Sequence, residues 1–313
     1  MRIVLAITLA LLLAACDNGK PEAKKKVSPA TAKPVVTLET RAWRQQSDST
    51  LQAGATSWQQ ALTDFNAQPD GLHLAALRNA LTQWYADVTA NYLLLASRAC
   101  ANNQQAPLKR LDQWPLYPGY LDALPQWPDS GLINDPTVEL SAAGLLEQHG
   151  ATDDAEASLG FAALFVILNG TGAQQRALSA FTGSKKAPSR RREYLDLAGQ
   201  QLLQDLDQLG DPALTNTDLT CGLDATLGRQ QALTTWQQQK HEDSWLTVPA
   251  TVLKTNQQHL FEAISSIPAD SLSQWSKQAP GLQQAVKASS AGNWQPLQDW
   301  LHPPAKKPDD DES

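Results

Sequence analysis

The spacing of apolar residues between Trp58 and Val88 most restricts how this chain can fold. Trp58, Leu62 and Phe65 recur at intervals of four and three, and Leu74, Leu77, Leu81, Trp84 and Val88 continue in the same rhythm. An α-helix turns once every 3.6 residues, so this spacing lays one apolar stripe along a helix, whereas a half-buried strand would alternate. Pro69-Asp70-Gly71 separates the two runs as a turn. Residues 190–209 repeat the pattern with Tyr194, Leu195, Ala198, Leu202, Leu206 and Leu209, then meet Gly210 and Pro212, the expected stop. Shorter sets follow at Leu253, Leu260 and Ile264, at Leu272 and Trp275, and at Trp294, Leu297 and Leu301. No stretch alternates convincingly. The pattern predicts an all-α chain built from bundles of antiparallel helices.

Composition supports a substantial core. Hydrophobic residues make up 42% of 313 and charged residues 18%, and the ten Trp suit helix packing, where a large ring covers much apolar surface. The net charge is −7, and no predicted helix face gathers Lys and Arg, which excludes a nucleic-acid partner.

The two ends read differently from the middle. Arg2 precedes an apolar stretch, Ile3 to Leu13, that ends in Leu13-Ala14-Ala15-Cys16. One charge, a short apolar core and small residues form an export leader, too short to span a bilayer. Leu-Ala-Ala-Cys resembles the lipobox of bacterial lipoproteins, which implies that Cys16 becomes an acylated N-terminus carrying fatty chains such as palmitate; the alternative is an ordinary secretory leader with a cysteine nearby. Several chains on one residue anchor stably where one is marginal. Asp17 resembles the signal for retention at the periplasmic face of the inner membrane, with the outer membrane as the alternative. Residues 1–15 are therefore expected to be the leader and 16–36, rich in Lys, Pro and Ala, a disordered tether. Residues 303–313, with the acidic run Asp309 to Glu312, are expected to be a disordered tail. With Cys16 lipidated, Cys100 and Cys221 remain in an oxidising compartment, either bridged or as two separate buried thiols.

Residues 107–150 resist the helical pattern. Breaks at Pro107, Pro115, Pro118, Pro125, Pro128, Pro136 and near Gly144 alternate with Trp114, Tyr117, Tyr120 and Trp127. Such a long irregular stretch is commonly functional or packed as a structured loop. The four aromatics are candidates for lining a groove, with core packing as the alternative.

Several runs here and beyond carry a family resemblance. They are Pro69 with Leu74, Leu77, Ala80 and Trp84; Arg110-Leu111-Asp112-Gln113-Trp114-Pro115-Leu116; Tyr117-Pro118-Gly119-Tyr120-Leu121-Asp122; Ser130-Gly131-Leu132-Ile133-Asn134-Asp135; and Arg192, Tyr194, Leu195, Ala198, Leu202, Asp205 and Leu206. In order and spacing they resemble the imelysin-like family of bacterial envelope proteins over most of residues 40–210. The resemblance implies two antiparallel four-helix bundles side by side with a groove between them. On this reading they are an N-terminal bundle over 37–185, containing the irregular 107–150 segment, and a C-terminal bundle over 186–302. It also implies a role around iron uptake and, for some members, metallopeptidase activity.

The family motif is Gly-x-His-x-x-Glu opening a helix. The matching run here is Gly160-Phe161-Ala162-Ala163-Leu164-Phe165, continuing to Gly170. His and Glu at i and i+3 share a helix face and could hold a metal together. Ala162 and Phe165 stand in those places and offer no ligand. His259 and Glu262 have the same spacing on a predicted helix and are the remaining metal candidates, against a solvated helix face. His149 with Glu147, and His241 with Glu242 and Asp243, are too close in sequence to face one another on a helix. Asp153, Asp154 and Glu156 precede the motif helix, where acids complement a helix N-terminus.

The sequence thus predicts a lipid-anchored, imelysin-like envelope protein without catalysis. It would bind a ligand or an envelope partner near iron-uptake components. No catalytic residue and no cofactor is expected, with iron or zinc as the metals that would overturn this. The rival is a divergent metallopeptidase with relocated ligands.

Overall fold

The computed structural model describes residues 36–124, 126–171, 175–238 and 248–304. Cys16, the leader, the tether up to residue 35, Pro125, His241 to Asp243 and the tail from residue 305 lie outside the described residues. Among those described the fold is all-α, without a strand. In chain order the helices are α1 (Arg41–Ala67), α2 (Gly71–Ala90), α3 (Tyr92–Asn102), α4 (Gln105–Leu111), α5 (Pro118–Leu121), α6 (Ala142–Gln148) and α7 (Phe161–Asn169). They continue as α8 (Ser179–Thr182), α9 (Lys186–Leu209), α10 (Asn216–Gln238), α11 (Ala250–Ser265), α12 (Ala269–Gln278), α13 (Leu282–Ala288) and α14 (Gln295–Leu301). None of the described helices is long and apolar enough to cross a membrane.

The sequence signals map onto local structure with physical causes. Trp58, Leu62 and Phe65 form the buried face of α1, and Leu74, Leu77, Leu81, Trp84 and Val88 that of α2. Asp70, in the predicted turn, caps α2 by accepting the His73 backbone N–H at 2.9 Å, which satisfies one of the orphan donors of the first turn. At α10, Thr215 and Asp218 exchange hydrogen bonds, Thr215 N to Asp218 Oδ2 at 2.8 Å and Asp218 N to Thr215 Oγ1 at 3.2 Å, as in a capping box.

The tightest helix pair is α3 with α10. A Cβ on Gly222 would sit 2.6 Å from the Ser97 backbone nitrogen, so only glycine permits this approach. Beside that contact Cys100 and Cys221 are joined in a disulfide with Cα atoms 6.2 Å apart.

Helices on the two sides of the boundary expected between residues 185 and 186 are in contact. The described residues belong to one compact unit, and α9 packs against α3, α4, α7 and α8, all of which precede it. The reason is apolar continuity: Tyr194, Leu195, Ala198 and Leu202 share one core cluster with Trp58, Trp84 and residues 161–168 of α7.

The disulfide closes a separation of 121 residues, for which chain entropy gives a stabilisation of about 4–5 kcal/mol. Replacing both cysteines by serine should lower the denaturant-derived stability by about this amount. Dithiothreitol should do the same to the unaltered protein and nothing to the double variant. Equal stability of oxidised and reduced protein would refute the assignment.

Candidate functional site

The helix that resembles the family motif lies at the centre of the core. All nine residues of α7 are buried, and Ala162 and Phe165 each retain only 2% of their surface. Gly160 precedes it with φ +104°, and a Cβ there would collide with the Arg110 carbonyl, which requires glycine at this position. Phe165 packs edge-on against Tyr85 at 5.7 Å between ring centroids, while Phe161 lies 5.2 Å from Tyr85 and 4.9 Å from Trp84. The positions where the resemblance implies a metal thus hold a methyl group and a phenyl ring, neither with a donor atom. The residues present do not fit a metal.

Next to these rings is a closed polar cluster. Asp112 accepts hydrogen bonds from Tyr85 Oη at 3.0 Å, Trp114 Nε1 at 2.9 Å and Arg229 Nε at 2.6 Å. The Arg229 guanidinium also lies 4.7 Å from the centre of the Tyr92 ring and donates to Tyr85 Oη at 3.2 Å. Asn256 of α11 meets Thr89 at the edge of the cluster. Burial, reinforced by the Asp112 charge, pushes the Tyr85 hydroxyl far above the usual tyrosine range. Burial works against the Arg229 charge, but Asp112 and the two tyrosines outweigh it and raise the guanidinium further. Chemically, the cluster holds one paired charge of each sign and a tyrosine fixed as a donor. Its role is to join α2, α10 and the irregular segment.

Two further aspartates pin the irregular segment and α9. Asp205 receives Arg110 Nη2 at 2.6 Å and Gln201 Nε2 at 2.9 Å. Asp122 receives Arg191 Nε at 2.7 Å and Arg176 at 2.9 Å, with Asn134 at 3.1 Å. Burial alone would raise the Asp122 carboxyl, yet the Arg191 hydrogen bond and the two arginine charges hold it below the usual range. Arg190 donates to the carbonyls of Ile133, Leu132 and Val138 at 2.7–2.9 Å.

The four aromatics, candidates for a groove or for core packing, occupy different surroundings. Tyr117 and Tyr120 line a shallow surface pocket with Asp129, Leu132, Asn134 and Pro136. Trp114 instead turns to Asp112 and to Trp236, 6.5 Å away. Trp127 stands 56% exposed on a tight turn closed by reciprocal backbone bonds with Leu124. The irregular backbone reverses between these residues, so neighbours in sequence do not share a face.

The metal candidates on α11 also have other partners. Glu262 accepts Gln258 Nε2 at 2.7 Å, and His259 acts electrostatically on Asp87 of α2. Among the described residues no group of three His, Cys, Asp or Glu side chains could hold a metal ion. The acids before α7 serve their own turn rather than the helix end: Asp153 accepts Ala155 N at 2.7 Å, Glu156 pairs with Thr152, and Asp154 with Lys109 at 2.9 Å. With the fold and these clusters in view, neither a family model nor a curated protein matches the chain.

Sequence reasoning also passed over His149 as a titrating group. Its Nε2 meets Gln113 Oε1 at 3.0 Å, while Nδ1 is buried without a partner. Burial, with Arg110 and Lys109 nearby, lowers its pKa to about 4. The folded state therefore prefers neutral His149. That preference stabilises fully above pH 6.5, and it is lost as pH falls toward 4, by about 3 kcal/mol at most. His149→Asn should flatten the fall in denaturant midpoint between pH 6.5 and 4 relative to the unaltered protein. Identical pH profiles would show that His149 does not carry the effect.

Proposed function

We propose that this protein is a lipid-anchored, imelysin-like envelope protein that binds a ligand or protein partner without catalysing a reaction, alongside iron-uptake components. Its place would be the periplasmic face of the inner membrane, held through Cys16. One observation carries the non-catalytic part of the reading. The segment that resembles the family motif is a fully buried apolar helix whose two ligand positions are Ala162 and Phe165. Without a ligated metal to lower the pKa of bound water, those positions supply no nucleophile for hydrolysis.

The family part rests on the resemblance of ordered residue runs, and each of the following buried pairs has at least one member in those runs. Arg110 pairs with Asp205, Asp112 with Arg229, and Asp122 with Arg176 and Arg191. The Tyr117–Tyr120 pocket lies on the same pinned segment and offers two aromatic rings beside Asp129 and Asn134 to a ligand or partner.

Two measurements test the reading. In purified protein, chelators should leave the melting temperature unchanged, and no metal-dependent proteolysis should appear. Stoichiometric zinc or iron, lost together with activity on chelation, would establish the divergent metallopeptidase instead. Separately, Cys16→Ser should release the protein from membranes or leave an unprocessed precursor. Unchanged membrane association of that variant would end the lipoprotein assignment.

A further inference from the structure

A second cavity lies away from the motif helix, between α1, α3 and the C-terminal end of α9, with a volume of about 350 Å3. That falls within the size range of small-ligand sites, about 300–1,000 Å3. Its apolar wall comes from Leu51, Leu95, Leu203 and Leu206. Leu203 and Leu206 are only half-buried, whereas Leu195, Leu202 and Leu209 of the same helix are enclosed, and both line this cavity.

The polar side of the cavity is unbalanced in charge. Arg98, only 4% exposed, donates to both oxygens of Asp48, at 2.6 and 3.1 Å, and to Asp211 Oδ1 at 3.0 Å. Asp211 also receives Arg44. Two arginines thus neutralise Asp48 and Asp211. Asp207, the third carboxylate lining the cavity, is exposed and has no side-chain partner among the described residues. One negative charge therefore stands over an apolar wall.

We propose that this cavity binds an organic cation, a primary amine carried on an apolar body, with the ammonium on Asp207 and the body against Leu203 and Leu206. An alkyl chain alone would gain nothing from the carboxylate. An alkyl carboxylate would meet three acids whose arginines are already engaged. Charge therefore selects among molecules of equal size.

The probe is n-octylamine hydrochloride, compared with sodium octanoate and 1-octanol, titrated into the full-length protein by calorimetry. The amine should saturate a single site, bind at least about tenfold more tightly than either comparison ligand, and weaken as salt rises. Asp207→Asn keeps the shape and removes the free charge at an exposed position, so it should melt like the unaltered protein. It should weaken octylamine about three- to fivefold, as expected for a surface charge contact. Leu206→Lys, placing a cation in the apolar wall, should abolish binding. Octanol or octanoate binding as well as the amine, no binding of the amine at all, or an unchanged affinity in Asp207→Asn would each overturn the proposal.

Discussion

Irregular chain in a protein interior carries backbone polar groups that no helix ladder satisfies, and each one left without a partner costs about as much as a lost hydrogen bond. This constraint organises the fold. Much of residues 112–124 and 131–134, and the chain leading into α7, lies in the interior largely outside long helices, and arginine side chains supply what a ladder would have supplied. Arg190 closes three carbonyls of the 132–138 stretch, and Arg78 closes Leu168 and Arg176 at the end of α7. A guanidinium suits this work because its donors fan out in a plane and stay charged when buried. The same arginine-rich strategy admits the buried aspartates. Asp112, Asp122 and Asp205 are each nearly or wholly inaccessible, and each has an arginine at hydrogen-bonding distance. Removing one partner would leave an uncompensated buried charge, which is far costlier than losing a surface pair.

What could be read from the sequence follows from which signals are local. The α1 and α2 stripes, the Asp70 turn and the end of α9 at Gly210 were all legible, because one-sided burial writes a period into the chain. Helix α10 was not singled out, since it is enclosed on several sides and its buried residues include Thr226, Arg229 and Gln230 beside its leucines. Apolar periodicity does not register buried polar residues. The arginine–aspartate pairs were equally hidden: Arg110 and Asp205 are 95 positions apart, and Asp112 and Arg229 are 117 apart. Nothing local tells an aspartate which arginine it will meet. The surroundings of the aromatic segment were hidden for a related reason. Trp114 and Tyr117 are close in sequence, but irregular backbone does not conserve a face as a helix does.

Helix α7 is held by packing at both ends and along its length. Gly160 is required by the Arg110 carbonyl behind it, and Gly170 ends the helix with positive φ. Between them all residues but Asn169 are apolar, and Phe161 and Phe165 join Trp84 and Tyr85 in one aromatic cluster. Geometry that serves packing persists whatever chemistry stands on it.

The first described residues enter the fold by pairing with the chain that leads into α10. Leu38 N donates to Leu214 O at 2.8 Å, and Val36 O accepts Asn216 N at 3.0 Å. The entry to α1 and the entry to α10 are thus tied to each other, and α10 is tied in turn to α3 through the Cys221 disulfide.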